Sequence, residues 1–391
     1  MPDPRFVHLR LHSEYSVTDG IVRIDAAVAR ATACGMPALG LTDLANVFGL
    51  VKFYLAARGK GIKPVIGCDI HLANETDADR PYRMLLLCAS RHGYAKLCEL
   101  LTQAHLRPRV RGRAEITRAM LAEIGVDGLI ALSGAAQGDV GEALSQGHAA
   151  QAKERAAYWA GLFPQGFYLE VQRAHPRGHA QQEALVAASA QLASEMGLPL
   201  VATHPIQFLE RGDFLAHEAR VCIAEGYMLA DNRRPRPYTE EQYFKSAEEM
   251  AELFSDLPDA LENSVEIARR CNLEIDLYKN CLPDFPTPDG ASLDEFLTAQ
   301  AEQGLEKRLL QLYPVDADRE KQRPIYEDRL KVETRIIIQM GFSGYFLIVA
   351  DFINWAKKND VPVGPGRGSG AGSLVAYSLG ITNLDPLKYA L

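Results

Sequence analysis

The chain has 391 residues, enough for two or three domains, and is 47% hydrophobic and 24% charged. Those proportions exclude a disordered chain and leave ample apolar material for a core. The net charge of −8 excludes a global basic field, so any contact with DNA needs local patches or a site outside these residues.

The seven cysteines, at 34, 68, 88, 98, 222, 271 and 281, include no Cys-x-x-Cys pair. That scatter predicts reduced thiols rather than a disulfide framework or a zinc ribbon. The start, Met-Pro-Asp-Pro-Arg-Phe, has no apolar leader core, and the apolar runs are too short to span a bilayer. The expectation is a cytoplasmic protein with no membrane association.

In chain order, residues 6–11, 38–42, 63–72, 83–88, 128–132, 167–171 and 198–203 read as strands. Amphipathic stretches at 24–34, 49–58, 94–105, 151–162 and 180–196 read as helices between them. Repeated βα units predict an α/β fold with a parallel sheet, open or closed into a barrel, with sites at the C-terminal strand ends. His12, Asp43, Asp69 and His204 fall at or just past such ends.

From about residue 212 the pattern becomes helical, over 213–224 and 246–271, with a basic, proline-containing turn at 232–237 between. The stretch Leu282-Pro-Asp-Phe-Pro-Thr-Pro288 cannot continue a helix and reads as a domain boundary. Helices are expected at 293–312, 323–340 and 345–359. Tyr345, Phe346, Phe352 and Trp355 recur at helical spacing in the last of these and read as core residues. The chain stops at Leu391 without a polar run-off, as a fragment would.

One segment carries chemistry. Gly364, Gly366, Arg367, Gly368, Ser369, Gly370, Gly372 and Ser373 precede the apolar run Leu374-Val-Ala-Tyr377. Alternating glycines let a backbone approach a ligand and present several N–H groups. A helix start behind them favours an anion, and an arginine adds a bidentate grip. The run predicts a cradle for a triphosphate or phosphodiester. It is not a Walker loop, because no Gly-Lys-Ser/Thr follows.

This loop, with Met340-Gly-Phe-Ser-Gly-Tyr-Phe-Leu-Ile-Val349 before it, resembles the start of the palm in the bacterial C-family replicative polymerases. Those are the alpha (catalytic) subunits of DNA polymerase III, and the likeness is to the proteobacterial kind. Phe6-Val-His-Leu-Arg-Leu-His-Ser13, Asp19-Gly20, Gly40-Leu-Thr-Asp43, Gly61 to Gly67 and Ala131-Leu-Ser-Gly134 resemble the PHP (polymerase and histidinol phosphatase) domain that opens such chains. The resemblance implies a PHP-type distorted β/α barrel over residues 1–280, with a helical extension at 212–280, and a truncated palm over 281–391.

It further implies template-directed DNA synthesis by two-metal, Mg²⁺-dependent phosphoryl transfer in the full-length protein. The catalytic aspartates would come from a Pro-Asp-Phe-Asp-x-Asp run beyond Leu391, so no catalytic residue and no cofactor is expected in this chain. Implied partners are DNA, dNTP and a proofreading exonuclease subunit docked on the PHP domain. Contacts with the sliding clamp and clamp loader would lie in regions absent here.

Many PHP relatives hold metal with a set of histidines and carboxylates. Set against that pattern, His12, Asp19, Asp43 and Asp69 persist, whereas Arg10, Leu44, Arg83, Ala135, Pro205 and Gln207 stand where ligands would be. Guanidinium groups then supply positive charge in place of a cation, and Arg10 and Arg83 are expected to pair with Asp43 and Asp69. The site reads as degenerate and metal-free. Alternating arginines at 107–113 and those at 233, 234 and 236 fit a phosphate backbone, an acidic partner or a solvated loop equally. Two other functions fit some residues: a metal-dependent PHP phosphoesterase or exonuclease, and a non-catalytic interaction module.

Overall fold

The structure is a computed structural model that describes residues 6–108, 112–176, 178–277, 279, 282–366 and 368–391. It divides into two compact units, Met1–Ile275 and Asp276–Leu391. No single helix among the described residues is long and apolar enough to cross a membrane.

The first unit begins with α1 (Ile24–Ala33), β1 (Ala38–Leu41), α2 (Leu50–Gly59), β2 (Lys63–Leu72) and β3 (Tyr82–Cys88). There follow α3 (Arg91–Leu106), the two-residue β4 (Glu115–Ile116), α4 (Arg118–Ile124), β5 (Leu129–Leu132) and α5 (Asp139–Ser145). Next come α6 (Ala149–Leu162), β6 (Phe167–Gln172), α7 (Ala180–Met196) and β7 (Leu200–Thr203). α8 (Phe214–Glu225), α9 (Ala247–Leu253) and α10 (Pro258–Arg270) complete it.

The strands form one sheet in the order β1-β2-β3-β5-β6-β7, with β4 beside β2. The sheet is mixed, not parallel as the βα pattern predicts. β3 runs antiparallel to both β2 and β5. Residues 73–81 are too few for a crossover helix, so β2 and β3 pair as a hairpin.

The stretch 6–11, expected to be a strand, forms no ladder. It runs extended between the sheet edges: Gly40 N–H donates to His8 O (2.7 Å), Thr42 N–H to Leu11 O (3.0 Å), and His12 N–H to Ile206 O (3.0 Å). The sheet therefore curls toward a barrel without closing. Val7, Leu9, Val65, Leu85, Leu87, Ile130, Leu132 and Val201 fill its inside with Val265, Ile267 and Ala268 of α10. A larger apolar cluster, which includes the buried Trp159, packs the outer helices on the other face.

The single helix expected at 246–271 is two. Pro258 disfavours helical backbone in Leu257 but fits a first helical turn, so α9 stops and α10 restarts there. Ser246 and Glu249 form a capping box at the start of α9. The extension is part of the unit's packing: Met250, Phe254, Ala260 and Leu261 bury against Phe6, Val171, Val186 and Ala202.

The second unit holds α11 (Leu293–Leu312), α12 (Asp316–Gln339), α13 (Ser343–Lys358) and the short α14 (Leu374–Ser378). Ser292 and Glu295 cap α11 reciprocally. α12 starts earlier than periodicity predicts and carries Pro324 inside. Leu297, Ala301, Leu305 and Leu309 pack on Tyr326, Leu330, Leu347, Leu374 and Val375. The aromatic set of α13 is not core as expected: Tyr345, Phe352 and Trp355 are more than half exposed, and of the four only Phe346 packs against the core.

Candidate functional site: a charge-locked cleft and a rooted glycine loop

Side chains alternate along a strand, so Asp69 shares a face with Val65, Arg83 with Leu85 and Leu87, and Glu170 with Tyr168. That face lines the inside of the curl. Its apolar residues lie at one end and its charges at the other, beside a cleft of about 520 Å³ lined by Arg10, His12, Asp69, Arg83, Glu170 and Gln207 among others.

Arg10 sits at the centre. Its guanidinium donates to Glu170 through Nε and Nη2 (both 3.0 Å) and to Asp69 through Nη1. Arg83 takes the rest of Asp69, with Nε at 3.2 Å and Nη2 at 2.6 Å. His12 bridges Asp19 (3.0 Å) and Asp69 (3.2 Å) through its two ring nitrogens. Arg10, Asp69 and Glu170 are all at least 96% buried. Gly134 N–H and Gln172 Nε2 (both 3.0 Å) and the Thr203 hydroxyl complete the shell of Glu170.

The electrostatics follow from this packing. Burial alone would lower the His12 pKa, but Asp19 and Asp69 outweigh it and raise His12 to about 9. Burial would raise Asp69, yet Arg10, Arg83 and His12 hold it well below the usual carboxylate range. Asp19 is likewise lowered against burial, chiefly by His12. Asp43 goes the other way: burial pushes it up to about 6 although Ser13 donates to it from N–H (2.6 Å) and hydroxyl (2.9 Å).

Sequence reasoning paired both arginines with Asp43 and Asp69. The structure keeps Asp69 as the shared partner, replaces Asp43 by Glu170, and gives Asp43 to Ser13. Glu170 was missed. Its signal was a lone carboxylate inside the apolar run Phe167-Tyr-Leu-Glu-Val171, where an unpaired charge has no place. Leu44, Ala135 and Pro205 offer no ligand atom in their side chains. Gln207 has a buried Oε1 without a protein partner.

The residues present do not fit the metal cluster of PHP relatives. Both nitrogens of His12 are engaged, Asp69 and Glu170 are saturated by guanidinium donors, and no three His, Cys, Asp or Glu among the described residues are arranged to hold an ion. The basic strips are also largely engaged internally: Arg113 with Glu115, Arg233 with Asp231, and Arg234 with the buried Glu218. Arg109 and Arg111 lie outside the described residues.

In the second unit, residues 364–366 and 368–373 form loop backbone with a short 3₁₀ turn, Gly368–Gly372. Arg367 lies outside the described residues. Ser373, at the end of the loop, is held by a protein carboxylate. Its hydroxyl accepts from Ala376 N–H (3.1 Å) and donates to Glu333 (2.9 Å), which also accepts from Val375 N–H (3.2 Å). The expected anion position at the start of α14 is thus filled by Glu333, and Ser373 acts as a helix cap. Asp385 is structural: it accepts from the Tyr326 hydroxyl (2.7 Å) and from Leu387 N–H (3.0 Å).

Compared with known proteins, the chain is 55% identical over 392 aligned positions to DNA polymerase III subunit alpha of Neisseria meningitidis serogroup A, covering 100% of this chain and 34% of that protein. The chain is a homologue of the N-terminal third of DNA polymerase III subunit alpha. The corresponding subunits of Pseudomonas fluorescens and Escherichia coli K12 are 53% and 48% identical, over 99% and 100% of this chain and 33% of each relative. The chain thus spans about a third of the length of these polymerase III relatives. The PHP domain profile matches residues 8–174, and the profile for the bacterial DNA polymerase III alpha NTPase domain matches 295–391. Among solved structures, an amidohydrolase from Chromobacterium violaceum aligns over 51% of this chain and 87% of its own at 16% identity and a TM-score of 0.34.

Proposed function

We propose that this chain is the opening portion of a replicative DNA polymerase that synthesises DNA 5′ to 3′ on a template with Mg²⁺. The observation that carries the reading is the similarity to DNA polymerase III subunit alpha over the whole chain. Residues 1–280 are a PHP domain whose site is held by ion pairs rather than metal, and residues 281–391 open the palm. The glycine loop, through Gly364, Gly366, Arg367, Gly368, Ser369 and Gly370, lies against the nucleotide phosphates, while the catalytic acids come from sequence beyond Leu391. Backbone N–H groups and one guanidinium suit a triphosphate.

Primer-extension kinetics test this. The full-length polymerase should incorporate dNTPs with Mg²⁺, and this chain alone should incorporate none. Arg367→Ala in the full-length protein should raise the dNTP KM at least about tenfold, the loss of one charged grip on phosphate. Incorporation by the 391-residue chain, or an unchanged KM, would sink the assignment.

The PHP domain is assigned a docking role for the proofreading exonuclease subunit. The reading is supported by an interior whose charges are paired among the domain's own side chains. Size-exclusion chromatography of the chain mixed with the purified exonuclease subunit should give one co-eluting peak, whereas separate elution at micromolar concentration would reject the role.

A further inference from the structure

The glycine loop is rooted at both ends by side chains that lie outside it. At its entry, Pro365 O accepts from the Thr382 hydroxyl (2.6 Å) and from Asn383 N–H (2.9 Å). The same hydroxyl accepts from Leu384 N–H (3.2 Å), so its orientation is fixed. Gly366 has a φ of +129°, and a Cβ there would lie 2.7 Å from Thr382 Oγ1. Only glycine allows both the backbone angle and the close approach.

At the exit, Glu333 of α12 ties down Ser373 and Val375, and Arg329 steadies that carboxylate while donating to Gly372 O (3.3 Å). The stretch beyond the loop is held as firmly. Arg308 donates to Tyr377 O (3.0 Å) and Thr382 O (3.1 Å), and Lys357 to Gly380 O (2.6 Å). Thr382 is 98% buried, so none of its bonds is shared with bulk solvent. Between the two roots, Ser373 N–H donates to Gly370 O (3.3 Å) and closes the short 3₁₀ turn.

We propose that Thr382 and Glu333 are positioning residues for nucleotide binding: they fix the entry and exit of the glycine loop so that its N–H groups point at the triphosphate before it arrives. The proposal rests on the glycine loop being the nucleotide grip. Neither residue touches nucleotide. Their contribution is to remove the entropy that a run of alternating glycines would otherwise lose on binding.

The test is steady-state incorporation by the full-length polymerase carrying Thr382→Val, Thr382→Ser, Glu333→Gln or Arg367→Ala. Thr382→Val keeps the shape and deletes the hydroxyl. It should raise the dNTP KM about tenfold with kcat within twofold and primer-template affinity unchanged. Thr382→Ser, which keeps the hydroxyl, should restore the KM. Glu333→Gln should act in the same direction as Thr382→Val. Hydrogen exchange of the 364–373 peptide should speed up in Thr382→Val while that of α11 stays constant.

A dNTP KM within twofold of the parent in Thr382→Val, with Arg367→Ala impaired, overturns the positioning role and leaves the loop's function intact. An unimpaired Arg367→Ala instead overturns the loop reading itself. If Thr382→Val fails to fold, the Glu333→Gln kinetics decide in the same way.

Discussion

Replacing Arg10 by Met should lower the unfolding free energy of the first unit by about 3–5 kcal/mol, the range for removing one partner of a buried ion cluster. Arg10 is the cation that reaches Glu170, and its loss leaves that carboxylate 98% buried with only neutral donors around it. Asp69 suffers less, because Arg83 and His12 still hold it. Urea unfolding followed by Trp159, which is fully buried in this unit, reports the change. Adding Glu170→Gln to Arg10→Met should recover a large part of the loss, because the unpaired charge then disappears. A loss below about 1 kcal/mol in the single variant would show that the cluster is solvated and that Arg10 is not its keystone.

Alkaline pH should destabilise the same unit. The folded pKa of His12, about 9, lies above its ordinary value of 6.5. The bound proton therefore stabilises the fold fully below about pH 6.5, and that contribution fades as pH rises through 9, to a total of about 3 kcal/mol. On the acid side the signs differ. Asp19 and Asp69 are depressed, so what they contribute is lost only as pH falls below the ordinary carboxylate range. Asp43, raised to about 6, costs stability above that pH and is relieved as it takes up its proton. The optimum should therefore fall on the acid side of neutrality. Melting temperatures across pH 4–10 check this, with His12→Gln as comparison: the variant should lose the decline above pH 7, and an equal decline in both would exclude His12 as its source.

Much of the fold is legible in the residues because local signals agree with tertiary packing. α7 and α11 end where their apolar periodicity and caps end, and β2 matches its apolar run. The misses have different physical causes. The failure of 6–11 to form a ladder depends on which segments lie beside it, and periodicity does not carry that. The direction of β3 and the break at Pro258 follow from local features, the short 73–81 link and the proline after Leu257, to which apolar periodicity is blind. The aromatic spacing of α13 was ambiguous for a related reason, since a stripe at helical period looks the same whether it is covered or bare.

The candidate sites divide in the same manner. Arg10 and Arg83 stand out in sequence because a guanidinium at a ligand position changes the sign of what is needed. The second partner of Arg10, Glu170, lies 160 residues away and becomes visible only through the inward alternation of β6. For the glycine loop, composition shows the run of small residues but not Glu333 and Thr382, which reach it from α12 and from beyond α14.

The guanidinium at the heart of the curl has one more consequence. A bound ion is in exchange with its surroundings, and its occupancy follows supply. Arg10 is attached to the chain it neutralises, so its local concentration is set at translation and cannot be diluted, chelated or outcompeted. A newly made copy of this unit carries the counter-charges of Asp69 and Glu170 within its own sequence.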